Sequence, residues 1–290
     1  MRTIGEAQIN KKKPHLTAIS FGAALSPRSS PFAPLLFSGR IPQGFQTAAE
    51  AGFRAVELSL RTPDEVNSEE LTDLLDTYEL SLSAIATGRS YIEDSLSLSS
   101  PNAEVRNQAI QRVEGLIQLA APFKAAVIIG GIRGRLDGTT SEQPQLRKSA
   151  ILAIRECARY ANELGVILLI EPINRYETNF INSSLEGIQL LDQISEPSVK
   201  LLLDTFHMNI EEVDLATAIK STNDRLGYIH FADSNRLAPG QGHIDFAQVH
   251  QALADIRYQG IVTVEILPLP DDATAMHQAG VYLKALFGQY

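Results

Sequence analysis

Eight short apolar runs, separated by longer amphipathic segments, recur from one end of the chain to the other, and this alternation constrains the fold more than any other feature. The runs are His15–Phe21, Arg54–Ser59, Ser81–Ala86, Ala125–Gly130, Val166–Glu171, Val199–Asp204, Gly227–Phe231 and Ile261–Ile266. Most, such as Val166–Ile170 and Lys200–Leu203, are apolar without the two-residue alternation of a half-exposed strand, as expected of parallel strands covered on both faces. Helices are expected between them at Ser68–Tyr78, Asn102–Ala120, Gln143–Leu164, Ser184–Ile194 and Asp245–Ile256. In the second of these, Val105, Ala109, Val113 and Leu116 repeat at helical spacing.

Eight successive βα units in 290 residues predict an α/β protein of the (β/α)8 TIM barrel type. A doubly wound open sheet is the competitor, but no Gly-x-Gly-x-x-Gly follows the first run. Residues 14–290 read as one barrel domain and residues 1–13 as a loosely held polar tail. The connections Gly22–Gln43 and Thr87–Pro101 are long and rich in Ser, Pro and Gly, a length found in lids and in surface decoration alike.

Charge narrows the partners. Lys and Arg number 25 against 34 Asp and Glu, a net charge of −9, which disfavours nucleic acid and anionic membrane surfaces. No apolar stretch approaches the ~20 residues of a membrane span. Lys11, Lys12 and Lys13 ahead of Leu16–Leu25 imitate a secretion signal, but Thr17, Ser20 and Gly22 interrupt that run and a first buried strand accounts for it. The single cysteine, Cys157, excludes an internal disulfide and a Cys-rich zinc module, and fits the reducing cytoplasm.

In the last four units an ionisable residue stands at or just past the end of each apolar run: Glu171, Asp204, His230 and Glu265. In a parallel barrel such positions share one bowl at the C-terminal mouth. Three crowded carboxylates raise one another's pKa unless a cation neutralises them, so a divalent metal is the economical answer. Three oxygens and one imidazole favour Mn²⁺ or Mg²⁺, with Co²⁺ as an alternative. Taken singly, each residue could equally cap a helix or pair with an arginine.

The stretches Ile170–Glu177, Leu203–Glu212, Asp233–Arg236 with Pro239–Phe246, and Val262–Glu265 resemble the ketose 3-epimerases of the xylose isomerase-like barrel superfamily. The resemblance is dense over Val166–Pro270 and extends forward to Ala86–Gly88 and Val127–Gly130. Ala125–Arg135, Asn174–Asn182 and Ile266–Pro270 look most like the 5-keto-L-gluconate epimerase branch, with D-tagatose and D-psicose 3-epimerases a step further away. The resemblance implies Mn²⁺ held by Glu171, Asp204, His230 and Glu265, with Glu171 and Glu265 also moving the proton on opposite faces of the reacting carbon. It further implies substrate contacts from Glu177, His207 and Arg236, a small-molecule ketose or keto sugar acid as partner, and a homodimer or homotetramer.

The chemistry is consistent with that implication. A carboxylate is a feeble base for a proton beside a ketone, so a Lewis acid, with Arg236 as a second positive charge, is needed to stabilise the charge that develops. Inversion uses a group on each face, whereas a 1,2-isomerase can use one, so two glutamates favour epimerisation. Arg133, together with Arg135, is expected to reach the far end of the substrate and to meet a carboxylate as a planar fork, against the alternative of solvated surface arginines. Glu57 and Tyr91 are expected along the pocket wall, His243 and Asp245 as a loop-ordering pair and helix cap, and Gly240 and Gly242 in a tight turn. An aldose–ketose isomerase or keto-inositol dehydratase on the same scaffold is the second enzymatic reading. A metal nuclease is disfavoured by the acidic charge and the six histidines, and a non-enzymatic sugar-binding module has no use for the paired glutamates.

Overall fold

The computed structural model describes residues 19–29 and 34–288. Eight strands, β1 (Ser20–Leu25), β2 (Ala55–Ser59), β3 (Ser81–Ala86), β4 (Ala126–Ile129), β5 (Leu168–Ile170), β6 (Val199–Asp204), β7 (Leu226–Phe231) and β8 (Ile261–Val264), pair in chain order into a closed barrel. All ladders are parallel, and closure is made by β1 on β8, with Ser20 opposite Ile261 and Ala23 opposite Val264. The helices are α1 (Ile41–Ala51), α2 (Ser68–Thr77), α3 (Gly88–Asp94), α4 (Ala103–Ala120), α5 (Gln143–Glu163), α6 (Ser184–Ile194), α7 (Thr205–Glu211), α8 (Leu215–Thr222), α9 (Phe246–Asp255) and α10 (Asp272–Phe287). This is the (β/α)8 TIM barrel.

Two apolar layers hold it. The outer one lies between strands and helices, where Val56, Leu58, Ile129 and Val264 meet side chains such as Leu116, Ile154 and Met276. Burial of each large aliphatic is worth roughly 1.5–3 kcal/mol. The inner one fills the lumen with Ala84, Ala86, Ile128, Leu169, Leu202 and Tyr228. Side-chain caps define the helix starts: Asn67 accepts from the Glu69 and Glu70 amides, and Ser183 with Glu186 forms a capping box on α6. None of the helices among the described residues is long and apolar enough to cross a membrane.

Seven strands lie within about two residues of expectation; for the first, residues 15–18 of the expected run lie outside the described residues, and the strand described, β1, is Ser20–Leu25. Gly22-Ala23-Ala24 has little intrinsic strand preference, but barrel closure selects small residues there. A Cβ on Gly22 would lie 2.5 Å from the Thr263 hydroxyl, and Ala23 and Ala24 are fully buried. The expected tail at 1–13 falls outside the described residues, as do residues 30–33 of the first long connection. The Thr87–Pro101 connection carries α3, whose Arg89 is buried and ion-paired to Glu65 at 2.7 Å and Glu93 at 2.8 Å, tying two βα loops together.

Candidate metal-binding active site

The four strand-end residues converge at the C-terminal mouth. Asp204 closes β6, His230 lies in β7, and Glu171 and Glu265 directly follow β5 and β8; all four are buried. His230 Nδ1 stands 3.9 Å from Glu171 Oε1, 3.9 Å from Asp204 Oδ2 and 3.9 Å from Glu265 Oε2. That is too long for a hydrogen bond, and His230 Nδ1 is a buried nitrogen with no partner among the described residues. Its ligand atom and those of Asp204 and Glu265 all lie within 4.8 Å of one another, as do those of Glu171, Asp204 and His207. An orphaned imidazole nitrogen facing three carboxylate oxygens fits a hard divalent cation.

The electrostatics agree. Burial, reinforced by the charge of Glu265, pushes Glu171 up to about 8. Burial also pushes Glu265 up to about 7, although Arg236 and His230 pull the other way. Asp204 is held below the usual carboxyl range: burial alone would raise it, but Arg236, His207 and His230 outweigh that. For His230, burial opposes the imidazolium, yet contact with Glu57 carries it up to about 10. Arg236, nearly buried, donates to Glu265 and, at 3.4 Å, to Asp204, while its guanidinium stacks over the Phe206 ring at 4.6 Å.

A cavity of about 280 Å³ opens onto this cluster. Glu171, Glu265, His207 and His230 line it together with Tyr91, Arg133, Arg135 and Glu177. His207 is pushed down to about 3 by burial, so it is neutral near pH 7; its Nε2 faces Glu171 at 3.9 Å and Asp204 at 4.0 Å. Asn174 fixes the other side of that ring, with its amide nitrogen 2.8 Å from His207 Nδ1 and 2.8 Å from Glu177 Oε1. Gly130 forms the floor beneath Glu171, where a Cβ would come within 2.5 Å of Oε2.

Arg133 lines the same cavity, but its donors are engaged otherwise than expected. It is fully buried, and its guanidinium, expected as an open fork for a substrate carboxylate, donates instead to the carbonyls of Phe180 (2.9 Å), Ile181 (3.3 Å), Ile129 (3.4 Å) and Glu171. The physical reason is the chain path: the loop after β5 lays its carbonyls across the end of β4, and a planar multi-donor group answers them. Arg135 also lines the cavity, donating to the Glu177 carbonyl at 2.7 Å. Glu57, expected along the pocket wall, is wholly buried with Oε2 2.8 Å from His230 Nε2. The sequence reading missed that pairing and the part played by Asn174. A carboxylate between Val56 and Leu58 was the available signal, since a charge in a buried strand demands a partner. His243 accepts or donates at 2.9 Å with Ser234, Asp245 caps α9, and Gly240 has φ +88° in the turn between them.

A closed parallel barrel with carboxylates and an imidazole gathered at its C-terminal mouth defines the class: a TIM-barrel enzyme with a metal-competent acidic site. Residues 45–284 match the xylose isomerase-like TIM barrel family, and the chain belongs to it. The L-ribulose 3-epimerase of Methylomonas sp. (strain DH-1) is 33% identical over 218 residues, 75% of this chain and 75% of that one. The D-psicose 3-epimerase of Enterocloster bolteae is 34% identical over 219 residues, 74% of this chain and 72% of that one. A crystal structure of D-allulose 3-epimerase from Methylomonas sp. superposes with a TM-score of 0.79 at 25% identity, covering 93% of this chain and 98% of that one. These relatives are epimerases, and this chain is an enzyme of their isomerase class.

Proposed function

We propose that this enzyme is a divalent-metal-dependent epimerase that inverts C3 of a ketose or keto sugar acid. The observation that carries the reading is the pair of buried carboxylates, Glu171 and Glu265, three strands apart around one cavity. Two carboxyl groups on the two sides of a carbon can take a proton from one face and return one to the other, which is what an epimerase asks of them. Glu171, Asp204, His230 and Glu265 would hold the cation, Mn²⁺ by preference with Mg²⁺ or Co²⁺ as alternatives. When bound, it supplies Lewis acidity toward the sugar oxygens.

The remaining groups orient the substrate. Arg236 sets a fixed positive charge beside the reacting carboxylates, where negative charge develops on the substrate. Neutral His207, its ring held by Asn174, and Glu177 offer hydrogen bonds to hydroxyls near the reacting carbon. Arg135 also lines the cavity and would receive an acidic terminus. Tyr91 and Ile92 add apolar lining that would limit water there.

The test is incubation of the Mn²⁺-loaded enzyme with neutral ketoses and keto acids in D₂O, followed by NMR. Deuterium at C3 with inversion is expected, and Glu265→Gln should fold normally but lose the exchange. Deuterium at C1 would make the enzyme an aldose–ketose isomerase, and no exchange across the panel would refute the reading.

A further inference from the structure

Glu57 has no task in the chemistry above, yet it is one of the most deeply buried charges in the barrel. It sits in the middle of β2 between Val56 and Leu58, with no exposed surface. Its Oε2 meets His230 Nε2 at 2.8 Å, while Oε1 finds no partner among the described residues. A buried carboxylate with a vacant oxygen is destabilising on its own, so its partner explains its presence.

We propose that Glu57 is a positioning residue for metal capture. Its carboxylate accepts the Nε2 proton of His230 and thereby sets the tautomer and the ring orientation that turn the Nδ1 lone pair toward Glu171, Asp204 and Glu265. This rests on the metal reading given above. An imidazole has two nitrogens, and only the one without a proton can ligate a cation. Nδ1 of His230 is the nitrogen left without a partner, 3.9 Å from all three carboxylate oxygens, so the proton belongs on Nε2 and needs an acceptor there.

Glu57 is the acceptor that the structure provides. Another polar group of the lumen, the Tyr228 hydroxyl, is engaged elsewhere: it bonds to Ser83 at 2.7 Å and to Thr263, and its ring abuts His230 edge-on at 5.6 Å. β2 and β7 are separated by β1 and β8, so the contact spans the lumen and braces the ligand from the far wall. A carboxylate behind the imidazole also makes Nδ1 a better donor to a cation.

The experiment compares the full-length enzyme with Glu57→Gln and Glu57→Ala. Mn²⁺ affinity is read from the free-ion EPR signal, and the His230 tautomer from two-bond ¹⁵N–¹H spectra of the metal-free and Mg²⁺-loaded protein. The wild type is expected to keep its proton on Nε2 in both states and to give up only the Nδ1 proton when the metal binds. Glu57→Ala should bind Mn²⁺ about 10–100-fold more weakly and lose the single tautomer. Glu57→Gln keeps an acceptor of the same shape, so it should retain the tautomer with a weakening of about tenfold or less, and it keeps the test open if the alanine variant does not fold. Wild-type affinity and tautomer in both folded variants would overturn the role of Glu57 while leaving the metal reading intact. Absence of Mn²⁺ binding by the wild type would overturn both.

Discussion

Arg133 offers the sharpest quantitative test. Its guanidinium serves four carbonyls; those of Ile181 and Ile129 also accept backbone amides, from Ile173 at 3.1 Å and Glu171 at 3.4 Å, whereas those of Phe180 and Glu171 have no other partner among the described residues. Arg133→Ala therefore strands two buried acceptors, at about 1–3 kcal/mol each. It also leaves a void over the Phe180 ring, now 5.6 Å from the guanidinium carbon, which costs roughly another 2–4 kcal/mol. Removing a buried cation works the other way: burial pushes the Arg133 pKa down from 12.5 to about 10, which offsets about 3 kcal/mol. The net loss is about 1–7 kcal/mol, centred near 4, and the centre corresponds to a fall in Tm on the order of 10 °C for a barrel of this size. Calorimetry or dye-based melting measures it, alongside Mn²⁺ affinity, which should weaken because the clamped carbonyl belongs to Glu171. A variant with wild-type Tm and metal affinity, but with KM raised for acidic sugars alone, would refute the clamp and restore the substrate fork.

Two further perturbations probe the site. In Gly130→Ala the new Cβ meets Glu171 Oε2 at 2.5 Å, so the carboxylate must swing aside; kcat should fall by about 100-fold, measured by C3 exchange, with the barrel still folded by circular dichroism. The metal-free enzyme should lose stability as pH rises from about 4.5 to 8. Glu171 and Glu265 have folded pKa values raised from 4.5 to about 8 and about 7, so their contribution is complete below 4.5 and is lost on the way up. Each retained proton gives a slope near 1.4 kcal/mol per pH unit, whereas Mn²⁺ should flatten the curve; equal melting profiles with and without metal across that range would count against the site.

The order of the barrel was legible because burial on both faces leaves a mark in the sequence. Runs such as Val166–Ile170 cannot be half-exposed strands, and polar helix faces between them have to lie outside. The helices α1, α3, α7, α8 and α10 were not legible. Two of these, α3 and α7, are seven-residue turns within βα connections, and their stability comes from docking: Arg89 on Glu65 and Glu93, and the Asp204 side chain capping the Phe206 amide.

The site divides along the same line. Sequence alone singled out Glu171, Asp204, His230 and Glu265, because an ionisable group at the end of an apolar strand cannot be buried without compensation, and four in succession share one mouth. Closure of the ring decided the rest. It brought Glu57 within 2.8 Å of His230 across 173 residues of chain, set the Arg133 guanidinium against the carbonyls of Phe180 and Glu171, and made Gly22 a strand residue. Periodicity and charge are local properties that the chain carries before it folds, whereas which donor meets which acceptor depends on distances that exist only after β1 has joined β8.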